Sequence, residues 1–139
     1  MKNTTLSEKT ILLVEDEEEV REIVGLILRS QGARLVSARS AEEAILLANR
    51  CSAPIDLIIS DMIMPGMNGP ELVGRLSESH PDAPVLYISG YPETEFRNIE
   101  GRQRVRFLGK PFLPDELIYN AKELIHGETS PSETAAPES

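Results

Sequence analysis

One carboxylate follows a predicted buried strand directly into a turn, a position suited to chemistry. The apolar run Leu57–Ile59 leads to Asp61, and Pro65 and Gly66 mark the turn beyond it. A short continuous apolar run bounded by turn residues is typical of a strand covered on both faces. In open parallel sheets, ligands bind in the crevice beyond the carboxyl ends of the strands. Asp61 is therefore a candidate functional residue.

Two further acids occupy the same kind of position. Glu15 and Asp16 follow the apolar segment 10–14, which predicts the first strand. Three carboxylates in one crevice repel one another, and a divalent cation would compensate their charge. Magnesium is the expected ion, because it prefers oxygen ligands and is usually held by one or two carboxylates together with a phosphate. The alternative is that these acids are solvated loop residues, in the way that Glu17–Glu19 would stabilise the start of the next helix.

A lysine and a serine are expected at the same edge of the sheet. Lys110 follows the fifth predicted strand, 104–108, and a lysine that faces carboxylates can hold a phosphoryl oxygen by its charge. Ser89 follows the fourth predicted strand, 85–88, and could donate a hydrogen bond there. Taken singly, Lys110 would be interpreted as a surface lysine and Ser89 as a turn residue.

The elements that would position these residues alternate along the chain. Five strand segments alternate with segments that have helical spacing of apolar residues and begin near residues 20, 41, 69 and 114. A polar segment over 93–99 is predicted as a further short helix. Ser40 and Glu43 have the spacing of a capping box at the second helix. This alternation predicts an α/β fold, a doubly wound, flavodoxin-like parallel sheet of five strands in the order 2-1-3-4-5. Its switch point, between the first and third strands, would collect the three acids.

Composition limits the class of protein. The chain has 139 residues and a formal net charge of −9, which argues against general binding of nucleic acid through phosphates. Its one cysteine cannot form an internal disulfide, which fits a reducing compartment. The sequence has no apolar run of membrane-spanning length, and its first residues lack the apolar core of a signal peptide. We expect a cytoplasmic protein with no direct DNA or membrane binding. The expected organisation is a polar lead over 1–9, a folded domain over 10–126 and a disordered tail over 127–139.

Taken together, these motifs resemble the receiver domain of two-component response regulators. The resemblance covers roughly residues 10 to 126, and the order of the motifs makes it specific although each one is weak. It rests on Glu15-Asp16, on Asp61 followed by Met64-Pro65-Gly66 and Gly69, on Ser89-Gly90, and on Lys110-Pro111-Phe112.

The resemblance implies a phosphorelay function. Asp61 would accept a phosphoryl group from a phosphohistidine of a sensor histidine kinase or a histidine phosphotransfer protein. Glu15, Asp16 and Asp61, with the backbone carbonyl of Ile63, would bind magnesium, while Lys110 and Ser89 would contact the phosphoryl group. The Lys110-Pro111 bond is often cis in this family. Such a domain is a phosphoacceptor and not an enzyme, apart from its own phosphorylation and slow autodephosphorylation.

The same resemblance implies a conformational switch and a slow loss of the phosphoryl group. Ser89 and Phe107 would form the switch, since movement of Ser89 towards the phosphoryl group leaves space for the aromatic ring. The alternative is that Phe107 is only a core residue. Ile63 and Tyr91 fall at positions that flank the path of the hydrolytic water in this family. Because both are bulky, we predict a long-lived phosphoryl group.

Several alternatives remain open at the level of sequence. An aspartate-nucleophile phosphatase would carry a second aspartate where this chain has Ile63, and a flavodoxin-like cofactor binder would have a glycine-rich loop in place of Glu15-Asp16. A degenerate receiver that acts only through protein contacts is disfavoured by the complete set of acids and Lys110. Both a stand-alone receiver and the receiver of a hybrid histidine kinase fit. A basic group, which is either solvated edge charge or a docking face, comprises Arg97, Arg102, Arg104 and Arg106.

Overall fold

The computed structural model describes residues 5–90 and 104–127, and within them strands and helices alternate. All strands are parallel and form one sheet in the order β2-β1-β3-β4-β5, which confirms the predicted fold class and strand order. No helix within the described ranges is both long and apolar enough to cross a membrane. The elements in chain order are β1 (Thr10–Val14), α1 (Glu18–Ser30), β2 (Arg34–Ala38), α2 (Ala41–Arg50), β3 (Leu57–Asp61), α3 (Gly69–Leu76), β4 (Val85–Ser89), β5 (Val105–Gly109) and α4 (Pro114–His126).

The core consists of two apolar layers, one on each face of the sheet. Alternate residues of β1, β3 and β4 point to opposite layers, and all residues of these central strands are buried. Helices α2 and α3 cover one layer, in which Leu12, Ile58 and Leu72 are fully buried. Helices α1 and α4 cover the other, in which Leu28 and Leu117 are fully buried. Burial on both faces explains why these strands read as continuous apolar runs.

The helix starts differ in part from the expected ones. At α2, the Ser40 hydroxyl accepts from the Glu43 N–H at 3.1 Å, but the Glu43 carboxylate accepts from the Arg39 N–H at 2.8 Å. The predicted capping box therefore forms only one of its two bonds. A complete box lies at α3, where the Asn68 side chain accepts from the Glu71 N–H at 2.8 Å and the Glu71 carboxylate accepts from the Asn68 N–H at 3.0 Å.

Arg104 and Arg106, at the start of the edge strand, are not simply solvated edge charge, which was one of the two interpretations of the basic group. Arg104 donates to the carbonyls of Leu124 and Gly127 at 2.6 and 3.0 Å, at the C-terminal end of α4. Arg106 donates to the Asn120 side chain at 2.9 Å, also on α4. Both arginines therefore lie on the same side of the edge strand, and α4 covers this side. Arg97, Arg102 and the helix predicted over 93–99 lie outside the described residues.

The packed unit begins before β1. Leu6 is fully buried in the layer beneath α1 and α4, and the Glu8 N–H donates to the Gly32 carbonyl at 2.9 Å. His126 Nε2 lies 2.6 Å from the Thr5 carbonyl oxygen, so this segment also contacts the end of α4. Residues 5–9 thus belong to the fold, although their polar composition predicted a lead outside it. The tail predicted over 127–139 falls outside the described residues from 128 onward.

Candidate functional site

Three carboxylates meet at the carboxyl ends of the central strands. Glu15 and Asp16 directly follow β1, and Asp61 is the last residue of β3, which pairs with β1. One oxygen from each lies within 4.8 Å of the other two. Glu15 and Asp61 are buried, while Asp16 is exposed. The sheet therefore brings together the three acids that the sequence predicted, and it leaves one of them accessible from solvent.

The Asp61 carboxylate is oriented through both of its oxygens. Its Oδ1 accepts from the Ile63 N–H at 3.1 Å, and its Oδ2 accepts from Lys110 Nζ at 3.2 Å. Ile63 itself is 47% exposed. Tyr91, the other residue expected along the path of the hydrolytic water, lies outside the described residues.

Glu15 carries a buried carboxyl group with an altered acidity. Its Oε2 accepts from the Glu17 N–H at 3.1 Å, and its carbonyl accepts from Arg21 at 2.9 Å. Its buried Oε1 has no hydrogen-bond partner within the described part of the chain. Burial, which disfavours the charged form, is the main cause that raises the pKa of Glu15 from 4.5 to about 7, and the neighbouring charge of Asp61 adds to it.

Lys110 is the cation of the site. Its Nζ lies 3.6 Å from Glu15 Oε1 and 3.9 Å from Glu17 Oε1, in addition to its bond with Asp61. Burial acts to lower the pKa of Lys110, but the charges of Glu15 and Asp61 outweigh it, so that the pKa is raised and the ammonium form is favoured. The Lys110-Pro111 peptide bond is cis, as the resemblance implied.

Ser89 and Phe107 lie on the neighbouring strands β4 and β5. Ser89 is buried, and its carbonyl accepts from the Lys110 N–H at 2.9 Å, which ties the end of β4 to the lysine. Phe107 is half-buried. Its ring stacks on that of Tyr87, with the ring centroids 5.5 Å apart.

Sequence reasoning missed three contributors to this site. Glu17 was assigned only to the helix start, yet it is the third carboxylate near Lys110, and its N–H binds Glu15. Arg21 fixes the backbone of Glu15 from the first turns of α1, and Tyr87 supports Phe107. The position of Glu17 directly after Glu15-Asp16 could have indicated that it belongs to the site. Nothing in the local sequence indicates the contacts of Arg21 or Tyr87, because they depend on how the elements pack.

A family model described as the response regulator receiver domain matches residues 11–122. The chain belongs to this family. The match spans β1 to most of α4, and the strand-end acids and Lys110 fall within it, so the recognition made from the motifs is confirmed.

Comparisons with individual receivers agree. A curated relative, the sensor kinase CckA of Brucella abortus (strain 2308), is 38% identical over 117 residues, which are 84% of this chain and 12% of that protein. The chain thus spans only a small part of this relative. The crystal structure of the receiver domain from the hybrid histidine kinase CckA has a TM-score of 0.71 at 36% identity, with 84% of this chain and 98% of that one covered. A response regulator receiver protein from Sinorhizobium medicae WSM419 has a TM-score of 0.78 at 27% identity, with 88% and 98% covered.

Proposed function

We propose that this receiver accepts a phosphoryl group on Asp61 from a phosphohistidine, in a sensor histidine kinase or in a histidine phosphotransfer protein. The observation that carries the proposal is the 3.2 Å contact of Lys110 Nζ with Asp61 Oδ2, beside the clustered carboxylates of Glu15 and Asp16. The arrangement unites a candidate nucleophile, acidic ligands and a cation in one crevice. A receiver that acts only through protein contacts would need none of this chemistry.

Magnesium is the cofactor that fits these residues. Glu15, Asp16 and Asp61, with the backbone carbonyl of Ile63, offer only oxygen ligands, as a hard cation requires. The buried Oε1 of Glu15, which has no hydrogen-bond partner among the described residues, is a ligand atom in need of a positive charge. When bound, the ion would offset the negative charge of the carboxylates and of an incoming phosphoryl group.

The proposed reaction is a direct phosphoryl transfer. A carboxylate oxygen of Asp61 attacks the phosphorus, the new O–P bond forms, and the P–N bond to the histidine breaks. The imidazole leaves with the electron pair and takes up a proton, and Asp61 becomes an acyl phosphate. Lys110 and Ser89 contact the phosphoryl oxygens. Such transfer depends on positioning and charge, so we propose a phosphoacceptor and not an enzyme that turns over other substrates.

The output of the phosphorylated state would be a change in protein contacts. We propose that Ser89 moves towards the phosphoryl group and that Phe107 changes position in response. The partners would be the phosphohistidine donor and a downstream protein, and we propose no direct binding of DNA. We propose a cytoplasmic location, where such a donor would meet this domain. CckA is named as a sensor kinase, which makes a receiver of the hybrid-kinase type a concrete candidate for the context of this chain.

The direct test is the intact mass of the full chain after incubation with acetyl phosphate and magnesium. We expect the mass of one phosphoryl group on the wild type, and none when magnesium is omitted or when Asp61→Asn replaces the acceptor. The matched control is Asp82→Asn, because Asp82 is an exposed acid on the loop before β4, outside the cluster. Asp82→Asn should be labelled as the wild type is.

Two results would contradict the proposal. Labelling of Asp61→Asn to the same extent would place the phosphoryl group on another residue. Failure of the wild type to bind beryllofluoride with magnesium, after no label was taken from acetyl phosphate, would leave a receiver that acts by contact only. Release of inorganic phosphate from a phosphate monoester with repeated turnover would instead favour the phosphatase alternative.

A further inference from the structure

Tyr87 lies between the phosphoacceptor turn and Phe107. It is the largest fully buried side chain of the described residues and occupies the middle of β4. In the sheet it pairs with Ser60 on one side and with Phe107 on the other. Because residues paired across parallel strands share a face, the ring can contact elements that follow β3 and also the side chain on β5.

On one side, the Tyr87 ring rests against the start of α3. A Cβ atom built on Gly69 would lie 3.2 Å from Tyr87 Cε1 and only 2.5 Å from the carbonyl oxygen of Asp61. The Gly69 N–H also donates to the Met62 carbonyl at 2.9 Å. Gly69 thus lies close to both the Asp61 backbone and the Tyr87 ring, with no room for a side chain between them.

On the other side, the ring stacks on Phe107. The two rings are 5.5 Å apart between centroids and inclined by 25°. Stacked aromatic rings attract each other beyond the effect of burial, so the orientation of one ring biases that of the other. Tyr87 is fully buried while Phe107 is half-buried on an edge strand, and Phe107 is therefore the partner with room to move.

We propose that Tyr87 is a positioning residue for the switch, so that the element which responds to phosphorylation is the Tyr87–Phe107 pair and not Phe107 by itself. The inference rests on the proposed phosphorylation of Asp61. In this arrangement the turn that carries Asp61 presses on Tyr87 through Gly69, and Tyr87 sets the resting position of the Phe107 ring. Removing the ring at 87 would leave Asp61 chemistry in place and uncouple Phe107 from it.

The test follows Phe107 directly by fluorine NMR. The chain has three phenylalanines, Phe96, Phe107 and Phe112, so incorporation of para-fluorophenylalanine into the full chain gives a simple spectrum. Phe107→Leu identifies the resonance of Phe107 by its loss. Spectra are recorded with magnesium, before and after addition of beryllofluoride, which is an analogue of the phosphoryl group. The fluorine signals of bound beryllofluoride report occupancy of the site in the same spectrum.

We expect the Phe107 resonance to shift on beryllofluoride binding in the wild type. The shift should be equal in Tyr87→Phe, which keeps a ring, and should be lost in Tyr87→Leu. The label would also enter at position 87 in Tyr87→Phe, and its extra resonance is distinguished by comparison with the wild type. Should Tyr87→Leu be too unstable, Tyr87→Met gives a core of more similar volume without a ring.

The control is Leu86→Val, which perturbs the core on the opposite face of β4. It should lower stability and leave the Phe107 shift intact, which separates positioning from general loosening. A Phe107 shift that persists in Tyr87→Leu while beryllofluoride is bound overturns the inference, as does a wild-type Phe107 resonance that stays unmoved. The absence of bound beryllofluoride signals in the wild type, together with no label from acetyl phosphate, overturns the proposed function, and this inference with it.

Discussion

The charge balance of single residues dominates the site. Lys110 is surrounded by three carboxylates, those of Asp61, Glu15 and Glu17, at 3.2, 3.6 and 3.9 Å. One lysine cannot neutralise them, and the buried Glu15 responds with a pKa raised to about 7, chiefly because of its burial. Without a metal ion, burial favours the protonated form of this carboxyl group. Proton and magnesium should therefore compete for it.

The first prediction concerns the pH dependence of stability in the metal-free protein. Because the folded state raises the pKa of Glu15 from 4.5 to about 7, it binds the proton more tightly than the unfolded state. The resulting stability is complete below pH 4.5 and is lost as the pH rises through 7. Glu15→Gln removes this titration, so the free energy of unfolding should fall less steeply than in the wild type as the pH rises from 4.5 to about 7.

Urea unfolding in the presence of EDTA measures this dependence. Glu22→Gln is the matched control, since Glu22 is an exposed glutamate on α1, and it should keep the wild-type slope. An identical slope for Glu15→Gln and the wild type would show that Glu15 is not protonated in the folded protein.

At the scale of residues, the sequence predicted which residues form the site better than it predicted the contacts between them. The positions of Glu15, Asp16, Asp61 and Lys110 follow from strands and turns that are visible in the chain, because parallel strands bring their carboxyl ends to one edge. The contact of Glu17 with Lys110 could not be predicted with the same ease. It depends on the side-chain reach of a residue that is equally suited to a helix start.

At the scale of elements, the connection between β3 and α3 fixes the geometry around Asp61. The complete capping box of Asn68 and Glu71 starts α3, and Gly69 allows the helix to approach the Asp61 backbone. Asn68 and Glu71 have the spacing of this signature in the sequence, so the box was predictable. The need for glycine at position 69 was not predictable, because it arises from the lack of space for a Cβ atom and not from the backbone angles of the residue.

The second prediction is that Gly69→Ala destabilises the protein by about 1–3 kcal/mol, since the new Cβ would overlap backbone atoms that cannot yield cheaply. The nearest is the Asp61 carbonyl oxygen at 2.5 Å. Labelling by acetyl phosphate should decrease as well, because the turn after Asp61 must shift. Urea unfolding and intact mass measure the two effects.

Gly74→Ala is the control on the same helix. A Cβ at Gly74 would meet no atom within 4 Å, and the position is exposed. Because alanine favours the helix over glycine, this variant should be more stable than the wild type by roughly 0.5–1 kcal/mol and should be labelled normally. Equal stability of the two alanine variants would argue against close packing at Gly69.

The edge strand shows where sequence patterns fail at this scale. The predicted fifth strand is present, and the interpretation of its arginines as solvated edge charge did not include their hydrogen bonds to α4. The long arginine side chains can cover apolar surface and still find acceptors at a helix end. Polarity in a strand thus indicates that a face can be solvated, and tertiary packing decides whether it is.

At the scale of the whole molecule, the N-terminal segment completes the core. Leu6 fills the layer beneath α1 and α4, which is the layer on which those helices depend. One buried leucine in an otherwise polar stretch carries little sequence signal, because apolar periodicity needs several residues to be recognised. The fold class and strand order were predictable from the five strand segments and the helical segments between them, whereas the true start of the packed unit was not.

The third prediction follows from this burial. Leu6→Ala should lower the free energy of unfolding by about 2–5 kcal/mol, as expected for loss of a buried leucine side chain. Leu46→Ala is the control, because Leu46 is 54% exposed on α2, and it should change the stability by less than about 0.5 kcal/mol. Thermal and urea unfolding report both. A Leu6→Ala variant as stable as the wild type would show that residues 5–9 do not contribute to the core.

The contact between His126 and the Thr5 carbonyl has a consequence for how such a domain can be joined to other chains. It brings the first and last described parts of the packed unit together at the amino-terminal edge of the sheet, whereas Asp61 lies at the opposite, carboxyl-terminal edge. Domains whose ends meet at the surface tolerate insertion and circular permutation. This one could be inserted whole into a loop of a host protein, with both connections on the side away from Asp61.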